Sequence, residues 1–380
     1  MYNIAILLGT FVGGGIERAV LTFLQGLDSS LFSPYIICYS KCGSLAPMFE
    51  SLNFPIYVVP LHSWNMPSVI LNVYRYIVKN RIDLIHSHAY HADVVARLAA
   101  HYANIPIVNT LHTNSRWKRQ PCSISQYVQR FFDQYTAKNY GVGFIALSKS
   151  IRTFHVEQLG YPSGVWRIIS NPVDFSRLNN KTDDRFVIRR KLGIRSDQIV
   201  VIAVGNLLPV KGHAFLLDAL PLISSEYFKK IRVIIAGEGS ERAHLESKIK
   251  KLHLQKVVSL LGYREDLGSL LAASDIFAMP SLSEGQSVAI LEAMAMKLPL
   301  IVTSQGSHCD FLEHDKNALI AEPSNSKQLA ILLEYLIKKP DEMIRLKRSA
   351  FVTFQNLSIF SSIEKQQEFY CDVINKYKFK

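Results

Sequence analysis

Short apolar runs and helix-length segments alternate along the whole chain, and the alternation starts afresh half-way. In the first half the runs are Ile4–Leu8, Tyr35–Tyr39, Ile56–Val59, Leu84–His86, Ile107–Thr110 and Phe144–Leu147. In the second they are Ile199–Val204, Val233–Ala236, Val257–Leu260, Ile276–Met279 and Leu300–Thr303. Strand followed by helix, repeated, specifies βαβ units and a parallel sheet covered on both faces. The restart calls for two doubly wound α/β domains with a cleft between them. A chain of 380 residues, 48% of them apolar, is long enough to give each domain its own core. The break falls at Asn171-Pro172-Val173-Asp174 and the polar run that follows to about Gly193. The expected organisation is a first domain over 1–175, a linker over 176–195, a second domain over 196–357, and a terminal helix over 358–380. That helix carries Phe360, Ile363, Phe369, Val373 and Ile374.

Several classes are set aside at this level. No window holds the roughly eighteen consecutive apolar residues of a membrane-spanning helix. Met1-Tyr2-Asn3-Ile4-Ala5-Ile6-Leu7-Leu8 lacks a basic region and a cleavage site, so it reads as a first strand and not as a signal peptide. Cys38, Cys42, Cys122, Cys309 and Cys371 are scattered, with neither metal-ligand pairs nor a disulfide framework, and a cytoplasmic location is the simplest. The net charge is +12. It is densest over 115–152, where Arg116, Lys118, Arg119, Arg130, Lys138, Lys149 and Arg152 are opposed only by Asp133. Trp117, Tyr127, Phe131, Phe132, Tyr135 and Tyr140 interleave them. An anionic membrane surface would suit such a patch, at about 1 kcal/mol per cation near the lipid. A solvated helix face is the plainer alternative. No nucleic-acid-binding module is recognisable, so nucleic acid is not an expected partner.

The polar turns after the strands hold the chemistry. Pro280-Ser281-Leu282-Ser283-Glu284-Gly285-Gln286-Ser287-Val288 joins the strand Asp275–Met279 to a run of helix formers that contains Glu292. Glu284 stands at the mouth of that turn and Glu292 about two helical turns further in. The helix start near Ser287 presents free N–H groups and a positive dipole end, which suit phosphate or hydroxyl oxygen. Ligands bind there in open α/β sheets, outside the carboxyl ends of the strands. In the first half, Gly9-Thr10-Phe11-Val12-Gly13-Gly14-Gly15-Ile16-Glu17-Arg18 makes the first strand-to-helix turn. It is neither a Walker A loop nor the dinucleotide spacing, and a tight structural turn would explain it equally. His86, His88 and His91 cluster without a fourth ligand, so a metal site is not expected. His112 ends the next strand. In Val204-Gly205-Asn206-Leu207-Leu208-Pro209-Val210-Lys211-Gly212, Lys211 stands at a helix start as a point charge for a diphosphate, or as an ordinary solvated lysine.

Taken together, in this order and spacing, the segments resemble the retaining glycosyltransferases of the GT-B fold, most closely glycosyltransferase family 4. Glu284 and Glu292 match its E-x7-E motif. Gly14, Gly15, Glu17 and Arg18 match its G-G-x-E-R loop, and Asp83-Leu84-Ile85-His86-Ser87-His88 is like its strand ending in H-x-H. Lys211 matches G-R-L-x-x-x-K-G, with Asn206 in the arginine position; Arg18 or Arg264 would have to compensate. Ala236-Gly237-Glu238-Gly239 and Leu261-Gly262-Tyr263-Arg264-Glu265-Asp266 resemble two further family turns. Thr303-Ser304-Gln305-Gly306-Ser307-His308-Cys309-Asp310 resembles T-x-x-G-G-x-x-E, with Ser307 and Asp310 departing from it.

The resemblance implies two Rossmann-like domains and a terminal helix that crosses back to the first. It implies transfer of a sugar from a nucleotide-sugar, most commonly UDP-linked, to a hydroxyl of a glycan or lipid-linked acceptor. Cell-surface polysaccharide or lipopolysaccharide synthesis is the usual setting. In these terms His112 contacts the transferred sugar, and Lys211 holds the leaving diphosphate. Glu284 holds sugar hydroxyls and Glu292 ribose hydroxyls. Gly14, Gly15, Arg18, Asn206, Tyr263, Arg264, Gly285, Gln286, Ser287 and Val288 belong to the donor side, and Glu17 and His88 to the acceptor side. No Asp-x-Asp occurs, so no metal and no other cofactor is expected. A nucleotide-sugar epimerase on the same fold, or a non-catalytic nucleotide-sugar-binding partner of another transferase, are the alternatives.

Overall fold

A computed structural model describes residues 1–61, 65–113, 123–174, 178, 185–357 and 361–378. They divide into two compact units: Met1–Pro172 with Ser358–Lys380, and Val173–Leu357. Arg116, Trp117, Lys118, Arg119, Cys122, Ser358 and Phe360 lie outside the described residues.

The first unit holds β1 (Tyr2–Leu8), β2 (Phe32–Cys38), β3 (Ile56–Val58), β4 (Leu84–His88), β5 (Ile107–Leu111), β6 (Gly143–Ala146) and β7 (Val165–Ile168). They form one parallel sheet in the order β3-β2-β1-β4-β5-β6-β7. Successive residues of β1 serve opposite faces. Ile4, Ile6 and Leu8 join a core that includes Phe23 and Leu24 of the helix Gly15–Gln25, while Ala5 and Leu7 join one with Val73 and Val95 on the other side. Both faces are therefore dry, as an all-parallel sheet requires.

The helix Ser362–Lys378 belongs to this first core. Phe369, Tyr370, Val373 and Ile374 are buried in it at spacings of one, three and one residues, a single helical stripe. It lies so close to the sheet that a Cβ on Gly143 in β6 would stand 2.9 Å from Val373 and 3.2 Å from Phe369.

The second unit holds β8 (Ile199–Val204), β9 (Ile231–Ala236), β10 (Val258–Gly262), β11 (Ile276–Met279), β12 (Leu300–Thr303) and β13 (Leu319–Ala321), parallel and in the order β10-β9-β8-β11-β12-β13. Of the stretch read as a linker, the described end from 185 onward belongs to this unit and begins with a helix. Its helix Arg185–Lys191 is fixed by Arg185 Nη2 and Arg189 Nη1, at 2.5 and 3.2 Å from the two Asp275 carboxylate oxygens. Asp275 also accepts the Val200 N–H at 2.7 Å, which ties that helix to the start of β8.

In each sheet the strand order reverses once, between β1 and β4 and between β8 and β11. The loops leaving those strands diverge, opening a crevice at their carboxyl ends. The glycine loop leaves β1 and His88 ends β4. Lys211 follows β8 and Glu284 follows β11. Both switch points thus carry the residues singled out in the sequence.

Candidate functional site

Three loops meet in the second unit. Lys211 closes a short 3-10 turn, Pro209–Lys211, just ahead of the helix His213–Ala219. Gly212 between them adopts φ +66°, and a Cβ there would fall 2.0 Å from the Pro280 carbonyl oxygen. Only glycine permits that approach. The Leu282 N–H bonds the Val210 carbonyl at 2.8 Å, locking the two loops together. The third loop comes from β12. Gly306, at φ +142°, sits where a Cβ would be 2.7 Å from the Glu284 Cβ and 2.8 Å from the His308 ring.

This packing brings Lys211 Nζ within 2.6 Å of Glu284 Oε1. Ser281 Oγ donates to the same oxygen at 2.8 Å. Glu284 is 7% exposed, whereas the Lys211 side chain keeps 23% of its surface open. Ser281 is itself positioned, since Thr303 Oγ1 donates to its carbonyl at 2.5 Å and His308 Nε2 donates to the Thr303 carbonyl at 2.8 Å. Burial holds the His308 pKa below its usual value, and that of neighbouring His213 falls to about 4, through burial and then the Lys211 charge. Ser281, Thr303 and His308 are the supporting residues that sequence reasoning did not single out. A serine three residues before the glutamate was the available signal.

Ser287 caps the helix Val288–Ala295 through its backbone, and its side chain makes no capping bond. The Ser287 side chain thus leaves the first-turn N–H groups uncapped. Gln286, Ser287 and Glu292 are nearly buried. Asn206 sits half-buried at the end of β8. Tyr263 and Arg264 follow β10, an edge strand two places from β8. The Arg264 guanidinium is taken by Asp266, Nε to Oδ1 at 2.7 Å and Nη2 to Oδ2 at 2.5 Å, and that carboxylate raises its pKa. In this structure it is engaged by that internal carboxylate.

In the first unit Gly14 caps the helix Gly15–Gln25 without a side-chain bond. Burial pushes the Glu17 carboxyl up to about 7, while N–H groups of Glu17 and Gly14 pull the other way. Glu17 at the third helical position reaching back to the cap residue is half of a capping box, so it shapes the loop from within. Arg18 follows on the same turn. Beyond β4 and β5, His88 Nδ1 meets His112 Nε2 at 3.0 Å. Burial lowers both, His112 to about 3 and His88 well below its ordinary value, so both rings are neutral at pH 7. His91 lies in the following helix, Tyr90–Ala103, against Tyr90. Among the described residues no group of three or more His, Cys, Asp or Glu side chains is arranged to hold a metal ion.

Asp133, the one acid of the basic stretch, turns inward. It is 1% exposed and bonds the fully buried Arg97 at 2.9 Å, so it does not offset the surface cations around it.

Two family models, one after the other, match most of the chain. Residues 13–177 match Glycosyltransferase Family 4, and residues 184–352 match Glycosyl transferases group 1. The chain is a group 1 glycosyltransferase of the family 4 type. Among curated relatives, this glycosyltransferase is 24% identical over 375 residues to the Escherichia coli UDP-Gal:alpha-D-GlcNAc-diphosphoundecaprenol alpha-1,3-galactosyltransferase, covering 95% of each chain. It is also 24% identical to the alpha-monoglucosyldiacylglycerol synthase of Acholeplasma laidlawii, covering 95% of this chain and 94% of that one. Among solved structures, HepE of Anabaena in complex with UDP-glucose superposes with a TM-score of 0.85 at 22% identity, covering 98% of this chain and all of that one. The lipopolysaccharide glycosyltransferase WaaG superposes at 0.80 with 17% identity, covering 96% and 98%. These likenesses establish the GT-B fold of this glycosyltransferase, with its two parallel-sheet Rossmann-like domains.

Proposed function

We propose that this glycosyltransferase moves a sugar from a UDP-sugar to a hydroxyl of a glycan or lipid-linked acceptor, with retention of configuration and without a metal ion. The observation that carries the reading is the Lys211–Glu284 pair, set at a sheet switch point beside a helix start without a side-chain cap. Without ligand, the cation and the carboxylate satisfy each other. An arriving diphosphate offers Lys211 a doubly charged partner and displaces Glu284 from it. The freed carboxylate oxygens then accept hydroxyls of the donor sugar. The N–H groups at Gln286–Val288 take up charge that grows on the departing phosphate, already oriented before the reaction begins. Glu292 is assigned to the ribose hydroxyls. Gly14, Gly15 and Arg18 are assigned to the donor phosphates, Glu17 and His88 to the acceptor side, and His112 to the transferred sugar. No side chain is assigned as a dedicated base; the leaving phosphate takes the acceptor proton.

Thermal shift with UDP, GDP, ADP and UDP-glucose tests the donor class. UDP and UDP-glucose are expected to raise the melting temperature, by about 2.7 kcal/mol of stabilisation at a hundredfold excess over Kd. Silence toward all four would remove Lys211 and Glu292 from the ligand site. UDP release that an acceptor speeds above the slow reaction with water separates a transferase from an epimerase, and binding without turnover on any acceptor or water would mark a non-catalytic partner.

The acceptor side points to a membrane surface. On the helix Ile124–Tyr140, the side chains of Ile124, Tyr127, Val128, Phe131, Phe132 and Tyr135 are all exposed. Their spacing of three and four residues aligns most of them on one face, with Lys138 near its end. By name, one curated relative acts on a GlcNAc-diphosphoundecaprenol and another makes a monoglucosyldiacylglycerol. Peripheral attachment at the cytoplasmic face suits such an acceptor, and no described helix is long and apolar enough to cross a membrane. Vesicles with anionic lipid are expected to sediment the protein, and Phe131→Ser with Phe132→Ser to release most of it. Undiminished binding of the double variant would rule this face out.

A further inference from the structure

His86 is fully buried and has no part in the reaction as assigned, yet both of its ring nitrogens are engaged. Nδ1 lies 2.6 Å from the Tyr370 hydroxyl and Nε2 lies 2.7 Å from Thr110 Oγ1. Gln366 Nε2 donates to the Tyr370 hydroxyl at 2.8 Å. The tyrosine accepts that bond and gives its own proton to Nδ1 of His86. The imidazole is thereby set as the tautomer protonated on Nε2, which donates to Thr110; the assignment follows from the donors available.

His86 and His88 are two residues apart on β4 and face the same side of the sheet. Their ring centroids are 4.2 Å apart. Ser87 between them faces the other way, with its Oγ donating to Asp93 at 2.7 Å. Immediately after His88 the chain is bent sharply, with Ala89 at φ +75°, a conformation that alanine rarely takes. The direction of His88 is thus imposed by its surroundings, and the wall it rests against is His86. His88 in turn sets His112 through the 3.0 Å bond.

We propose that Tyr370, backed by Gln366, is a positioning residue for the His88–His112 pair, so that the C-terminal helix completes the transfer site as well as the core. The inference rests on the assignment of that pair to the sugar and acceptor. Tyr370 touches no reacting atom. It acts by fixing the tautomer and the plane of His86, against which the His88 ring lies tilted at 45°.

Tyr370→Phe removes the hydroxyl and keeps the ring that Phe23 and Phe32 pack against edge-on. Two measurements at neutral pH decide the matter. In protein labelled with 15N-histidine, the variant is expected to change the imidazole signals of His86 and to move those of His88 and His112 with them. UDP release from UDP-glucose is expected to fall about tenfold to a hundredfold, the scale of a misplacement of up to an ångström, while the thermal shift given by UDP is kept. Gln366→Leu, which removes the donor that orients the tyrosine hydroxyl, should act in the same direction and more weakly. A change confined to His86, with the other two rings unmoved, would overturn the proposal. So would unchanged UDP release in Tyr370→Phe where His112→Ala abolishes it. Full UDP release in His112→Ala would instead sink the catalytic assignment of the pair, and the imidazole spectra would still report whether Tyr370 positions it.

Discussion

Lys211→Ala is expected to lower sugar transfer about a hundred- to a thousandfold, the cost of one electrostatic donor to a charge that grows in the transition state. The same change should weaken UDP binding, because Lys211 is the cation assigned to the diphosphate. Glu284→Gln is the informative companion. It should also reduce transfer, yet bind UDP at least as tightly as the parent, since the amide no longer competes for Lys211 as a carboxylate does. Isothermal titration with UDP alongside the rate of transfer reads both effects. If Glu284→Gln loses UDP affinity in parallel with Lys211→Ala, the pair is a single binding unit and the exchange of partners on donor arrival is wrong. Lys211→Ala also leaves Glu284 nearly buried with Ser281 as its remaining bonded partner, at about 1–3 kcal/mol of stability for the lost bond. Rates should therefore be compared well below the melting point.

Removing residues 361–380 is expected to unfold the first unit and spare the second. The deletion takes Phe369, Tyr370, Val373 and Ile374 out of the core of the first unit, each at most 1% exposed. At about 1.5–3 kcal/mol for each large apolar side chain, the loss is roughly 6–12 kcal/mol. That equals the whole stability of a typical domain. Limited proteolysis should cut the truncated chain throughout residues 1–172 and leave a protected fragment spanning about 185–357. A truncated protein with the parent's melting curve would show that the helix is an accessory.

The strands were legible because a parallel sheet buried on both faces demands unbroken runs of valine, isoleucine and leucine. β7 and β13 escaped notice for definite reasons. β7 is an edge strand with Arg167 and Ile168 facing solvent, and β13 is three residues long. Lys211 and Glu284 were legible on their loops. That they grip each other was not, because the contact joins residues 73 positions apart and depends on the backbone approach at Gly212. The ion pair of Arg264 with Asp266 was readable from the Arg-x-Asp spacing alone. Asp133 was read as part of a surface patch, since periodicity alone does not say which side of a helix turns inward. His86 was singled out, but its bond to Tyr370 joins residues 284 positions apart and left no trace in the sequence.

The first unit is discontinuous in sequence, opened at Met1 and closed by a helix that follows the second unit. During synthesis its sheet emerges first and must wait, one apolar face uncovered, while Val173–Leu357 is translated. At about 5–20 residues per second that wait is on the order of ten to forty seconds, far longer than the collapse of a small domain. The second unit, contiguous in the chain, folds in the interval. A nascent chain stalled anywhere before the last helix therefore exposes a sticky sheet and lacks the anchor of its histidine pair. Such a chain stays exposed to aggregation, and short of its histidine anchor, until that helix has left the ribosome.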